Sequence, residues 1–268
     1  PQNPGDDLRP KRVPVIQVYN QIISDLENAI ELLPSATEYS TSDLGRASKG
    51  SAEGMLAKVF LTLSSTGEGN YWQRVINLCD SVKALGYVLN QNYEDNFSPL
   101  NKNSAESLFE VQYSSDGGYG FWDNENQASW LSTFTGPRGS DMVAGGWGWN
   151  QPTQEFLDSY EPGDLRKDVT VFYQDCPKFD GLDYQSSYSY TGYNLRKFLV
   201  PKSITSSFDN SPMNFPVLRY ADVVLMKAEA LNELDQSNLA EDALNEVRTR
   251  AGLTDVQDLP KDAFREKV

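Results

Sequence analysis

The stretch PVLRYADVVLMKAEALNE, residues 216–233, followed by ALNEVRTRAGL at 243–253, decides how this chain is read. Leu218, Ala221, Leu225, Ala228 and Leu231 recur at three-to-four spacing, which is one face of a helix. Asp235–Ser237 turns the chain. Leu239, Ala243, Leu244 and Val247 then mark a second helix, with Asn238 and Glu241 as a capping pair and Gly252 as its stop. Two helices joined by so short a turn make a hairpin. Its charged residues Arg219, Asp222, Glu229, Arg248 and Arg250 read as scaffold that pairs and caps within the hairpin.

The pattern also stands near the N-terminus. Val15, Val18, Ile22, Leu26, Ala29 and Leu33 mark a first helix that Pro34 ends. Ala52, Leu56, Val59, Phe60 and Leu63 mark a second, from about Ser48 to Ser65. After a turn, Trp72, Val75, Ile76, Cys79 and Val82 mark a third, with Asn70 and Gln73 as a capping pair and Gly86 as its stop. Small residues recur in both hairpins: Ala52 and Ala57 in one, Ala228 and Ala230 in the other. That is helix-pair stacking of the tetratricopeptide kind, though the repeat is not clean at about 34 residues. The apolar stripes at 48–82 and 218–247 each need a partner, so the hairpins are expected to pack together across the intervening chain.

Between them lies a different kind of sequence. Ser107–Tyr113 alternates, with Phe109, Val111 and Tyr113 on one face, and predicts a strand. Tyr113–Asn150 has neither period; its 38 residues hold eight glycines, four of the five tryptophans and one basic residue, Arg138. Gln151–Tyr160 predicts a short helix. Gly181–Tyr193 is again irregular and carries Tyr184, Tyr188, Tyr190 and Tyr193.

Composition narrows the function. The 268 residues carry 23 Lys and Arg against 38 Asp and Glu, a formal charge of −15. A chain this acidic lacks the basic face that nucleic acid or an anionic membrane surface requires. With no histidine, it has no His-based zinc site, no Ser-His-Asp triad and no Cys-His pair. Cys79 and Cys176 make neither a disulfide framework nor a thiolate cage, and no bridge is expected between them. Gly45–Ser51 lacks the lysine of a phosphate-binding loop, and Asp123–Gln127 lacks the glycine and distal glutamate of a calcium loop. No motif nominates a carboxylate pair for glycoside hydrolysis, so no catalytic residue, metal or cofactor is assigned.

The tryptophan-rich segment is the candidate site. Sugars offer C–H faces that pack on rings and hydroxyls that need polar partners. Tyr119, Trp122, Trp130, Trp147 and Trp149 supply rings; Asn124, Arg138 and Asp141 supply hydrogen bonds. The tyrosines of 184–193 extend this face. The bland alternative is that these rings anchor long loops onto the helical body.

These residues carry a resemblance. GRASKGSAEGMLAKVFL at 45–61, Tyr71-Trp72 before an apolar helix, Ser107–Tyr113 after Asn96-Phe97, Asp164-Leu165-Arg166, and above all 216–233 with 243–253 resemble the SusD/RagB family of Bacteroidetes outer-membrane nutrient-binding lipoproteins. The resemblance covers nearly all of 14–268. It implies a mainly α protein of tetratricopeptide-like hairpins, an α/α superhelix, with a loop-rich aromatic ligand-binding insertion. The expected organisation is a single SusD-like domain over 1–268, with 14–112 and 213–268 as helical scaffold and 113–212 as the ligand-face insertion.

The function this implies is non-enzymatic. A cell-surface protein would capture oligosaccharide or polysaccharide and deliver it to a SusC-like, TonB-dependent outer-membrane transporter. The chain carries neither signal peptide nor lipidated cysteine, and it closes inside a starting helix. The resemblance therefore implies a sequence cut at both ends, with membrane attachment only through a lipid anchor outside this chain. Two other readings stand beside it: a tetratricopeptide-like scaffold that binds protein or peptide in its helical groove, as in peptide uptake, and a glycosidase.

Overall fold

The structure is a computed structural model that describes residues 11–115 and 127–268. Three N-terminal helices lead the chain: α1 (Val15–Leu32), α2 (Lys49–Ser65) and α3 (Trp72–Ala84). Strand β1 (Ser107–Val111) follows, then short helices α4 (Leu131–Thr135), α5 (Gln154–Asp158) and α6 (Arg166–Thr170). Two-residue strands β2 (Val171–Phe172) and β3 (Asn194–Leu195) pair with each other. The C-terminal part holds β4 (Phe215–Arg219), α7 (Tyr220–Glu233), α8 (Ser237–Arg250) and α9 (Lys261–Lys267). The fold is mainly α, as the periodicity predicts.

The two hairpins do pack together. α7 lies against both α2 and α3, and all four helices share one core. Leu56, Phe60, Leu63, Val75 and Val82 from the first hairpin meet Val223, Met226, Leu231 and Leu244 from the second. The small residues Ala57, Ala228 and Ala230 are fully buried, which lets the helix axes approach closely. α7 is covered on several sides, so its buried set runs nearly all round: Ala221, Val223, Val224, Met226, Ala228, Ala230 and Leu231. Gly54 has a specific reason. A Cβ there would stand 2.7 Å from the methyls of Leu108 and Leu218, so glycine lets α2 lie on the β1–β4 ribbon without displacing those leucines.

Helix ends follow local chemistry, not always the expected one. Ser48 caps α2, its Oγ accepting from Ser51 N at 3.3 Å. Gly252, at φ +77°, ends α8: its N–H bonds Thr249 O while Leu253 N–H reaches back to Arg248 O, the glycine-terminated helix end. The expected capping pairs do not form. α3 starts at Trp72, and Tyr71 N donates to Ser64 Oγ at 2.8 Å instead. α8 starts at Ser237, and Glu241 accepts from Leu259 N at 2.7 Å, which docks the segment leading to α9.

Three other expectations are corrected. Leu218 belongs to β4, which pairs antiparallel with β1 (Val111 opposite Phe215, Glu110 opposite Pro216); the helix begins only at Tyr220. The inward face of β1 is Leu108 and Glu110, not Phe109 and Val111. Glu110 turns inward because Asn214 Nδ2 (2.9 Å) and Asn103 N (3.1 Å) satisfy its carboxylate there. On α1, Tyr19, Ile23, Leu26 and Ile30 face the core while Val15, Val18 and Ile22 remain exposed. Its main neighbour, α2, covers only part of a wide apolar stripe.

The hairpin's charges pair outward, again unlike the expectation. Arg219 and Arg250 both hold Glu106, Arg248 grips Glu161, Asp222 meets Lys58, and Glu229 accepts from Ser65. They fasten α7 and α8 to the rest of the chain. Glu161, in the turn after α5, receives Arg248 Nη1 at 2.7 Å, Nη2 at 3.0 Å and Lys267 Nζ at 3.2 Å. Those cations hold its carboxyl down at about 2. A lowered acid pKa means stability present above the unfolded value of about 4.3 and lost as pH falls towards the folded one. Thermal unfolding followed from pH 5 down to pH 2 should show a steeper loss in wild type than in Glu161→Gln.

The loop-rich segment has its own core. Met142, Val143, Phe172, Cys176, Phe179, Tyr184 and Leu199 are buried together, with Phe172 stacked on Tyr184 at 5.2 Å. Both cysteines are free and buried, and desolvation pushes the Cys79 thiol up to about 12. Native protein should therefore react slowly with thiol reagents, while unfolded, unreduced protein should titrate two groups; a count of zero would contradict the free pair.

Candidate functional site

The aromatic segment is built on α4. This short helix is fixed below by Ser132, whose Oγ accepts from Val200 N at 3.0 Å, and by Thr133, whose Oγ1 donates to Phe208 O at 2.5 Å. Residues 147–149 then return across the helix end. Trp147 N bonds Thr133 O at 2.8 Å, Gly148 N bonds Gly136 O at 2.9 Å, and Trp149 N bonds Phe134 O at 2.8 Å. The glycines make this return possible. Gly146 sits at φ +73°, and a Cβ there would stand 2.5 Å from Pro137 O.

The pinned backbone gathers four rings. Trp149 stacks on Phe134 at 5.0 Å and 14°; Trp147 meets Phe134 at 5.1 Å and Trp149 at 5.2 Å; Trp130 meets Phe134 at 5.9 Å. Trp130 is half-buried and also packs on Phe208, so it serves as base. Trp147 and Trp149 are 37% and 55% exposed, large apolar surface left to solvent by a rigid support.

A groove of about 610 Å³ opens beside them. Trp147, Trp149 and Arg138 line it from one part of the chain, and Tyr188 and Tyr190 from another. Gln151 joins the two walls: its Nε2 donates to Gly148 O at 2.9 Å, and its Oε1 accepts from Tyr190 N at 3.1 Å. Tyr190 is fully exposed. Asn150, Ser187 and Ser189 add polar groups, and among the described residues no Asp or Glu lines the groove.

Of the residues nominated from sequence, the structure brings Trp130, Trp147, Trp149 and Arg138 to this place. It does not bring Asp141, which lies off the groove in an ion pair with Lys202 at 2.9 Å that lowers its pKa. Tyr119, Trp122 and Asn124 fall outside the described residues. The tyrosine cluster divides: Tyr184 is core, Tyr188 and Tyr190 line the groove, and Tyr193 donates to Gln154. Gln151, Asn150, Ser187 and Ser189 went unnominated, since nothing local distinguishes them from loop polar residues.

Comparison with known proteins agrees with this architecture. A sequence profile described as the SusD family matches residues 176–268. A SusD-like protein of Bacteroides ovatus is 32% identical over 238 residues, covering 80% of this chain and 40% of that protein. Among solved structures, one described as a laminarin binding SusD-like protein is 30% identical with a TM-score of 0.76, covering 90% of this chain and 55% of that one. Surface glycan-binding protein A from Bacteroides thetaiotaomicron, 22% identical, shares the fold with a TM-score of 0.76, over 94% of this chain and 57% of that one. The chain belongs to the SusD family. It spans about half the length of the relatives it matches.

Proposed function

We propose that this chain captures oligosaccharides at the cell surface through the groove between Trp147/Trp149 and Tyr188/Tyr190. The observation that carries the reading is the pair of exposed indoles, held by three backbone hydrogen bonds beside a polar-lined groove. Such rings stack on sugar C–H faces while Gln151, Asn150 and Arg138 address hydroxyls. Trp130 supports the platform. The description of a 30% identical relative as laminarin-binding makes laminarin oligosaccharides the first ligands to try. The groove walls offer no carboxylate pair among the described residues, which favours binding over hydrolysis. Captured glycan passes to a SusC-like, TonB-dependent transporter in the outer membrane, and a lipid anchor outside this chain holds the protein there.

Calorimetric titration with laminarin oligosaccharides, other soluble glucans and short peptides tests this. At least one glycan should bind, with affinity lost in Trp149→Ala. Binding of peptides alone would move the function to the helical groove between α3, α7 and α8, and release of reducing ends would make the protein a hydrolase.

A further inference from the structure

A second pocket, of about 290 Å³, opens where the turn Tyr93–Phe97, β4, α7 and α8 meet the segment carrying Lys197. In a chain of charge −15 it is lined by four cations: Arg166, Lys197, Arg219 and Arg250. Their partners account for only part of that charge. Arg166 is neutralised by Asp164, with Nη2–Oδ2 at 2.6 Å and Nε–Oδ1 at 2.9 Å. Asp222, the one carboxylate on the wall among the described residues, is already paired with Lys58 at 2.8 Å.

The other three cations have a single carboxylate among them, and only two of them bind it. Arg219 and Arg250 both bind Glu106, which is wholly buried and whose Oε2 also accepts from Asn90 N (2.9 Å) and Asn96 Nδ2 (3.0 Å). Among the described residues Lys197 forms no ion pair; its Nζ sits 4.2 Å from the centroid of Phe97. Arg219 lies over that same ring at 5.5 Å, and Arg250 lies over Tyr93 at 5.2 Å. Two positive charges are therefore uncompensated around two adjacent rings. Cation–π contact holds each cation in place but does not offset the repulsion between them. The Arg250 side chain is only 6% exposed, and its Nε, fully buried, has no hydrogen-bond partner.

We propose that this pocket binds a small oxyanion: a sulfate, a phosphate or the carboxylate of an acidic sugar. Guanidinium groups match such oxygens in geometry as well as charge. Lys197, bound to no carboxylate, supplies the charge that the anion meets first. The proposal is independent of the aromatic groove, which shares none of these residues.

Sulfate, phosphate and glucuronate would be titrated separately at constant ionic strength set with chloride, with heat and melting temperature both recorded. Sulfate should raise the melting temperature above the matched chloride control. Lys197→Gln, which breaks no ion pair, should fold normally and weaken sulfate binding about tenfold, while Lys197→Arg retains it. Glucuronate displacing sulfate would assign the pocket to an acidic sugar; sulfate or phosphate binding without glucuronate would assign it to the free anion. A response matched by chloride, or one unchanged in both Lys197→Gln and Arg219→Gln, overturns the proposal.

Discussion

Replacing Glu106 with alanine should destabilise the protein by about 3–5 kcal/mol, the range for breaking a buried ion pair from one side. Glu106 is wholly buried and is the meeting point of three parts of the chain: Arg219 at the β4–α7 junction, Arg250 at the end of α8, and Asn90 before and Asn96 within the turn Tyr93–Phe97. Removing it leaves two guanidiniums facing each other without their shared counterion, and two N–H donors without an acceptor. Glutamine keeps the shape but presents an N–H where an oxygen now accepts, so Glu106→Gln should recover only a minor part. Chemical denaturation monitored by tryptophan fluorescence measures both. A loss under about 1 kcal/mol for alanine would mean that water or rearranged side chains satisfy these groups, because an unmet buried donor alone costs about that much.

The second large effect concerns ligand. Trp147→Ala combined with Trp149→Ala should abolish measurable glycan binding, since a ring in real contact is worth about 1–3 kcal/mol and the two act together. The melting temperature should move little. These rings stand on Phe134 and Trp130, outside both buried clusters, and the backbone that carries them is held by hydrogen bonds that alanine retains. Trp130→Ala should behave differently, losing stability as well as binding, because it packs beneath them on Phe134 and Phe208. If the double variant binds like wild type, the groove is scaffold.

What was legible in the sequence was whatever periodicity encodes. α2, α3, α7 and α8 show their buried faces through three-to-four spacing, and their mutual packing follows from the need to cover those faces. β4 was hidden because Leu218 falls in phase with the helix that follows it. Pro216 gives no local warning, since proline is well tolerated in the first turn of a helix. β1 was inverted because Glu110 is buried by Asn214, about a hundred residues away, a partner that local alternation cannot reveal. At the site, composition located the tryptophans but not their roles. Which indole faces solvent is settled by the return of 147–149 over α4. Tyr188 and Tyr190 enter through Gln151, a long-range bridge with no local mark. Loops also proved able to carry a core of their own, as Tyr184 and Phe172 show.

The position of α7 against α2 and α3 bears on how the molecule comes into being. During synthesis the first hairpin is complete at Ala84, but its cover arrives only with Tyr220 and beyond. At translation rates of about 5–20 residues per second, that interval is on the order of ten seconds. Throughout it Leu56, Phe60, Val75 and Val82 have no native partner on that side. Closure across so long a loop is slow, and a nascent chain in that state is a natural client for a holding chaperone. Refolding from denaturant should accordingly lag behind that of helical bundles whose neighbours are sequential, and yield should fall as protein concentration rises.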